Sequence, residues 1–552
     1  MTEFVSPERY LPHIPDDLTL VQFILDSTHE CRPVRPKGVP WLVEDATGRK
    51  IGEEEIRTRV FGLANALSLK WGILCIFAPN NVDYPTVIWA AHRLGAIVTG
   101  ANPGYTPEEL AYQISATKAA VLIAHPDSLD NAIKAAQQAG ISLDRVIPLN
   151  TVHGAGPAIA PDLHELIAYG LGRQPNFTER KLDPGEGKTK IAFLSFSSGT
   201  TGRPKAVEIP HHSPIANIIQ MATWWKPNDE SIPLERRRVR AGDVSLADIY
   251  GLVVNLSVVV IPKFDFVKFL ESIVRHKATH LLVVPPMVVL LCKHPATKNY
   301  DLSHVRLLFC GAAPLSEALI ENTMKLLPQA VIGQGYGLTE TCTSVAMVPL
   351  TQKVGIIGSA GQLIPGVRAR VLKQDGTPAN IGEPGELVVK APSLALRYLN
   401  DEKRKWLHTG DEVIIDKNDN VFIVDRIKEI MKVRGFQVAP AELEGHLLRH
   451  PDVADTCVVG VPDEYSGEVP FAFVVLSAAS SKRASRSGAD AEEVKASILK
   501  HVADHKAPYK RLAGGVEFVE TIPKNASGKL LRRFLRDKAA SLSKNVLMSS
   551  LT

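Results

Sequence analysis

The chain has 552 residues, 45% of them hydrophobic and 22% charged, with a formal net charge of +4. That length implies several domains or subdomains, and the composition is that of a soluble globular protein. So small a charge on so long a chain argues against a general nucleic-acid or membrane-surface role.

The six cysteines, Cys31, Cys75, Cys292, Cys310, Cys342 and Cys457, are scattered. No pair has metal-ligand spacing and nothing suggests a disulfide framework, which fits a reducing intracellular compartment. The N-terminal "MTEFVSPERY" lacks the apolar core of a secretory signal, and the longest apolar runs, 252–262 and 281–291, are too short and broken to span a bilayer. The C-terminal "SSLT" is not the S-K-L peroxisomal address, so a cytoplasmic location is expected. The sequence does not set an oligomeric state.

Residues 56–125 alternate helix-like and strand-like segments: "ILCIFAPN" reads as a strand, "YPTVIWAAHRLGAIVTGANP" as helix, turn and strand, and "AAVLIAHP" as a strand. This βαβ rhythm implies a mostly parallel sheet. Further on, "SFSSGTTGRPKAVEI", 195–209, puts hydroxyl, Gly, Arg and Lys residues between two apolar segments. Such a loop can cradle phosphate through backbone N–H groups, or it can be an ordinary hairpin loop. It is not a Walker A loop, because Arg203-Pro204-Lys205 follows Gly202 and Pro204 disfavours helix there. Upstream, "GEGKT", 185–189, reads as a solvated turn.

The βαβ rhythm returns over 265–345. "DFVKFLESIVRHKA" reads as an amphipathic helix, and "THLLVVPP", "VRLLFCGAAP" and "AVIGQGYGLTE" as strands running into turns. Ligands in such sheets sit beyond the carboxyl ends of strands. From about 350 to 425 short strands alternate with Gly, Pro and Asp-Gly turns, a small β unit. A smaller α+β region closes the chain, with "SAASSKRASRSGADAEE", 477–493, as a low-complexity surface insertion. The fold class expected is α/β: a large region of mostly parallel sheets flanked by helices plus the β unit (1–426), then a mobile α+β domain (427–552).

The turns "SSGTTGRPK" (197–205), "GAAP" (311–314), "YGLTE" (336–340), "HTGD" (408–411), "DRIKEIMKVRGF" (425–436) and "PKNASGK" (523–529) occur in this order. Together they resemble the adenylate-forming superfamily of acyl- and aryl-CoA ligases, with the closest look to 4-coumarate–CoA ligases. The resemblance runs from about residue 40 to about 535. It implies ATP, Mg²⁺ and CoA as cofactors and a small carboxylic acid as substrate. Ser197, Ser198, Gly199, Thr200, Thr201 and Gly202 would hold the β- and γ-phosphates, with Lys205 adding charge. Tyr336 and Gly337 would meet adenine, flanked by the backbone of Gly311, Ala312 and Ala313. Thr339 would touch the α-phosphate, and Glu340 would hold Mg²⁺, which needs only one or two carboxylates. Asp411 would accept from the ribose hydroxyls beside Arg426, and Lys529 would reach the α-phosphate and the substrate carboxylate. Lys428 matches a hinge position, while Lys432 and Gly435 would serve pantetheine. Gly335, Thr343 and Ser344 would line the acyl pocket with Asp248 and Tyr250.

The chain also departs from the family pattern. Asp248 stands where His is usual, and two like charges about 4 Å apart repel by roughly 4 kcal/mol at an effective dielectric of 20. Three segments, Trp71 to Leu74, Asn255 to Val258 and Lys403 to Trp406, are each short by roughly ten residues. Reading "DVSLAD" (243–248) and "VVVIP" (258–262) as successive parallel strands leaves nine residues between them. A right-handed crossover needs about a dozen or more, so the acyl pocket is expected to suffer before the nucleotide site. Two other readings therefore stand beside the ligase: a degenerate member that binds nucleotide with little turnover, and adenylation feeding a carrier-bound phosphopantetheine. No carrier sequence follows residue 535, which ranks the last one lower.

Overall fold

A computed structural model describes residues 3–33, 35, 37–68, 72–150, 161–197, 204–225, 238–241, 256–311, 314–315, 317–399, 406–434, 436–463, 465–524 and 530–549. Among the described residues the strands form three sheets. The largest runs, edge to edge, through Phe4–Val5, Arg368–Leu372, Gly385–Lys390, Leu407–Ile415, Asn420–Arg426, Ser359–Leu363, Ala346–Met347, Val331–Tyr336, Leu307–Cys310, His280–Val283, Arg238–Ala241, Ser257–Val260, Leu42–Glu44 and Lys50–Ile51. The strands from Val331–Tyr336 through Leu42–Glu44 pair in parallel. The turn-rich strands of 359–426 pair antiparallel and join the parallel strands through Ala346–Met347.

The second sheet orders Arg397–Tyr398, Lys205–Pro210, Ile191–Ser197, Ile97–Ala101, Ile73–Phe77, Val121–Ala124 and Val146–Pro148. The βαβ reading of 56–125 holds strand by strand: Tyr84–Arg93 is helical, Gly95 turns the chain at φ +74°, and Ile97–Ala101 pairs in parallel with Ile73–Phe77. One core spans both sheets. Its largest side chains include Trp41 and Trp89, fully buried and packed edge to face with ring centroids 6.1 Å apart. Truncating either would cost about 3–5 kcal/mol. The helix Phe266–His276 shows why the periodicity is legible. Phe266, Phe269, Leu270 and Ile273 are its buried apolar stripe, the Asp265 carboxylate caps Lys268 N at 3.0 Å, and Lys277 ends it in the left-handed region.

The third sheet uses only residues after 430: Phe436–Val438, Met431–Val433, Gly467–Leu476, Val453–Asp463 and, parallel to Gly467–Leu476, Gly515–Phe518. The helices Pro440–Leu447 and Gly488–His505 bury Leu443, Leu447, Val494, Ile498 and Val502 in its core. Residues 477–493, expected as a low-complexity insertion, form the helix Ala478–Ala484 and the start of Gly488–His505. Ser487 caps the latter by accepting from Asp490 N at 3.0 Å, and helix-forming Ala, Glu and Lys carry it on.

The crossover expected to be too short is long enough, because its first strand lies earlier in the chain. Arg238–Ala241 pairs in parallel with Ser257–Val260, so fifteen residues, 242–256, join the two strands. That meets the crossover minimum of about a dozen. The 243–248 segment and most of the join lie outside the described residues.

Candidate functional site

The strand Val331–Tyr336 lies where the large sheet changes from parallel to antiparallel pairing, with Leu307–Cys310 parallel on one side and Ala346–Met347 antiparallel on the other. Its carboxyl end carries "YGLTE". The chain there doubles back so closely that a Cβ at Gly337 would sit 1.3 Å from the Thr343 carbonyl oxygen, so only glycine fits. The strain of that fold falls on Cys342 and Thr343, at φ +57° and +123°, a pair of the kind that clusters at ligand sites. Thr339 and Glu340 stand in the short 3₁₀ turn Thr339–Thr341, fixed by Thr341 Oγ1, which accepts from Leu338 N at 2.9 Å.

Tyr336 is half-buried, and its hydroxyl donates to Asp411 Oδ2 at 2.6 Å. Burial, and then the Asp411 carboxylate, push that hydroxyl well above its ordinary range, so it stays a donor at neutral pH. Asp411 reaches Tyr336 from the strand Leu407–Ile415, directly opposite Arg426 on Asn420–Arg426, and Arg426 Nε lies 3.5 Å from Asp411 Oδ1. The side chain of Asp411 is 7% exposed and that of Arg426 27%, so the carboxylate is walled in while the guanidinium still faces outward.

A second cluster joins the hairpin to the turn. Ile191–Ser197 and Lys205–Pro210 pair antiparallel, so the hydroxyl- and glycine-rich segment does link two strands, with Ser197 opposite Lys205. The two-residue strand Arg397–Tyr398 pairs with the latter. Tyr398 donates its hydroxyl to Glu340 Oε1 at 2.7 Å, and the Lys205 ammonium lies 5.7 Å from the Tyr398 ring centroid. Sequence reasoning missed Tyr398, which sits in "LALRYLN" with no periodic signal.

The helix His212–Trp225 backs the turn with residues spaced by four. Asn217 holds both main-chain groups of Ser344, donating to its carbonyl at 2.9 Å and accepting from its N–H at 3.1 Å. Met221 Sδ takes the Ser344 hydroxyl at 3.5 Å. Ser344 is thus buried and turned to this helix. Trp225 packs edge to face on Phe309 with centroids 5.0 Å apart, and a Cβ at Gly335 would come within 2.5 Å of the Phe309 ring. Gly335, Phe309 and Trp225 make an aromatic wall beside the turn. The spacing in "NIIQMATWW" is the sequence signal for it. Gly311 ends its strand by donating to the Val283 carbonyl at 3.1 Å.

Beyond Arg426, Lys428 is exposed in the turn that leads to the third sheet, and Ile427 N donates back to Gly410 O at 3.0 Å. Lys432 is exposed on Met431–Val433, held by its own N–H to Glu468 Oε2 at 2.9 Å. Next to it Phe436 stacks on Tyr509 at 4.4 Å. Ser198, Gly199, Thr200, Thr201, Gly202, Asp248, Tyr250, Ala312, Ala313, Gly435 and Lys529 lie outside the described residues. The structure therefore brings together Tyr336, Asp411 and Arg426 in one cluster, and Lys205 and Glu340 in another. Among the described residues, no helix is long and apolar enough to cross a membrane.

The family model of AMP-binding enzymes matches residues 35–399, and that of the AMP-binding enzyme C-terminal domain matches 442–529. The chain is 32% identical to 4-coumarate–CoA ligase 5 of Oryza sativa subsp. japonica, over 98% of each chain. It is 34% identical to 4-coumarate–CoA ligase 1 of Solanum tuberosum, over 96% of this chain and 95% of that one. Among solved structures, the anthranilate CoA ligase AuaEII in complex with anthranoyl-AMP superposes with a TM-score of 0.80 at 23% identity, covering 96% of this chain and 99% of that one. ATP-bound MatB from Rhodopseudomonas palustris gives 0.77 at 25% identity, covering 95% and 99%. With its turns in the family's order and its fold shared over nearly the whole length, the chain belongs to the AMP-binding enzymes, among the adenylate-forming acyl- and aryl-CoA ligases.

Proposed function

We propose that this ligase activates an aryl carboxylic acid such as 4-coumarate with ATP and passes it to CoA. The observation that carries the reading is the Tyr336–Asp411–Arg426 cluster at the point where the sheet changes pairing. A nucleoside fits it: Asp411 accepts from ribose hydroxyls with Arg426 beside it, and Tyr336 offers a ring face to adenine with its hydroxyl held down. The aromatic wall of Gly335, Phe309 and Trp225, together with the coumarate ligases among the relatives, supports an aryl substrate.

The substrate carboxylate attacks the α-phosphorus; a P–O bond forms to the acyl oxygen and the bond to pyrophosphate breaks. Lys205 and the Ser197–Gly202 segment take the charge of the leaving group, Thr339 the α-phosphate, and Lys529 the α-phosphate and the acyl carboxylate. Glu340 keeps one carboxylate oxygen beyond the one bonded to Tyr398, and would hold Mg²⁺, which when bound neutralises phosphate charge. The CoA thiolate then attacks the acyl carbon, the C–S bond forms and AMP leaves. For that step residues 427–552 swing about Lys428 relative to 1–426, replacing Lys529 at the site by the face of Lys432 and Gly435.

Lys529→Ala separates the two halves of this scheme. Adenylation, read as pyrophosphate release, falls at least about 10²-fold, the scale of one preorganised electrostatic contact. Transfer to CoA from a supplied acyl-adenylate is spared. Equal loss in both half-reactions overturns the two-pose assignment.

A further inference from the structure

The C-terminal region carries two histidine pairs at a spacing of four: His446 and His450 in "HLLRH", and His501 and His505 in "HVADH". His446 lies on the helix Pro440–Leu447, His450 just beyond it, and the second pair on the last two turns of Gly488–His505. A step of four puts both rings of a pair on one side. Here the two sides meet. His446 and His501 stack with centroids 4.3 Å apart and planes 10° from parallel. The His505 ring lies 5.4 Å from that of His446 and 5.3 Å from that of His501, and His450 meets His501 edge on at 5.1 Å.

Two apolar helix faces would pack as well without four imidazoles, and the nitrogens are arranged. His446, His501 and His505 bring one ring nitrogen each to within 4.8 Å of one another, the one such group of three among the described residues. Each ring also places a nitrogen on a main-chain carbonyl: His446 Nε2 on His501 O at 3.2 Å, His501 Nε2 on His446 O at 3.3 Å, and His505 Nδ1 on His501 O at 2.9 Å. A ring that donates one N–H to a carbonyl keeps a lone pair on its other nitrogen, the form in which histidine binds metals. His450 differs. Its Nε2 meets Ser497 Oγ at 3.1 Å and its Nδ1 accepts from Asp452 N at 3.2 Å, so it props the stack rather than joining it. The nearby cation Lys506 is tied to Glu442 at 2.8 Å.

We propose that His446, His501 and His505 form a site for a divalent transition metal of the zinc class, which clamps the two helices together. An all-imidazole set suits zinc, copper and nickel ions and rejects magnesium and calcium, which want oxygen. With metal–nitrogen bonds of about 2.0–2.1 Å the three nitrogens must draw in from their present spacing. His505, the exposed ring of the three, is the one that turns inward.

The test uses the full chain, stripped with a chelator, with Zn²⁺ titrated against a chromogenic competitor. The parent takes up one Zn²⁺ with micromolar or tighter affinity, and its melting temperature rises by a few degrees in excess metal. His505→Gln, at an exposed position, weakens uptake at least about tenfold and removes the rise. The half-buried Cys31, whose Sγ lies 2.9 Å from His29 Nδ1, is the rival zinc ligand. Cys31→Ser leaves uptake unchanged. No uptake by the parent, uptake unaltered by His505→Gln, or uptake abolished by Cys31→Ser each overturns the proposal.

Discussion

Two arginine–carboxylate clusters lie on either side of Lys428, and they use their arginines differently. On the C-terminal side Arg532 is 11% exposed and forks onto Glu444, with Nε to Oε1 at 3.2 Å and Nη2 to Oε2 at 2.6 Å, while Nη1 meets Glu429. Glu444 Oε1 also accepts from Val458 N at 2.8 Å. On the N-terminal side Arg426 reaches Asp411 through Nε alone, at 3.5 Å, and stays 27% exposed. The first cluster is closed upon itself and holds the fold. The second leaves its guanidinium partly exposed, beside the Asp411 that takes the Tyr336 hydroxyl. The same residue types thus read as structure or as site according to how much of the arginine is already spoken for.

Breaking each cluster in turn gives the largest expected effects. Arg532→Ala leaves the buried Glu444 and the half-buried Glu429 without their partner and should cost about 3–5 kcal/mol. Urea unfolding followed by far-ultraviolet dichroism reads this. Arg426→Ala leaves Asp411 its hydrogen bond from Tyr336 and should cost less stability than Arg532→Ala, yet lower the rate of ATP–pyrophosphate exchange by about 10²-fold. If Arg426→Ala unfolds the protein, or Arg532→Ala leaves it intact, the contrast between a closed and an open cluster collapses.

A buried histidine pair offers a calibration of the closed kind. His92 and His211 meet edge to face at 4.8 Å in the core of the large region. Burial lowers His92 to about 4 and His211 well below 6.5, so both are neutral in the folded chain. The unfolded chain takes up protons near pH 6.5. Their contribution is therefore complete above that pH and is lost as pH falls toward 4, at about 1.4 kcal/mol per pH unit for each histidine. His92→Asn should flatten the dependence of the urea midpoint on pH between 6.5 and 5. An unchanged slope would show that His92 already titrates normally in the folded protein.

Smaller effects sharpen the open side. Tyr336→Phe removes the hydrogen bond to Asp411 and should cost about 1 kcal/mol of stability, with a rise in KM for ATP larger than any fall in kcat. Tyr398→Phe frees Glu340 Oε1 and should shift the Mg²⁺ concentration needed for half-maximal rate by a few-fold. A Mg²⁺ dependence identical to the parent's would remove Tyr398 from the site.

Much of this architecture is legible in the amino-acid sequence. The apolar runs and amphipathic helices of 56–125 and 265–345 point to the parallel sheets because each segment's local preference agrees with its final place. The turns that hold Tyr336, Glu340, Asp411 and Arg426 are visible as clusters of Gly, hydroxyl and charged residues. How they meet is not legible. Asp411 faces Tyr336 only because of the strand register that sets it opposite Arg426 and the order that brings the strands of 407–426 toward Val331–Tyr336. Tyr398 depends on a two-residue strand, too short for any period to show. The crossover looks too short in sequence because alternation in "DVSLAD" resembles a strand, while the strand that pairs with Ser257–Val260 lies earlier, at Arg238–Ala241. At 477–493 a run of Ser, Ala and Arg reads as a low-complexity insertion, although its N-cap Ser487 and its helix-forming residues are the signal for the helix that forms.

The central claim is that the open cluster serves an adenylation that ends in an acyl-CoA. The direct measurement incubates the full chain with ATP, Mg²⁺, CoA and a panel of aryl and alkyl carboxylic acids, and quantifies nucleotide and thioester products by mass spectrometry. Acyl-CoA and AMP are expected in equal amounts, with an aryl acid such as 4-coumarate preferred. Bound ATP with no AMP and no acyl-CoA from any acid, or ADP in place of AMP, would contradict the claim.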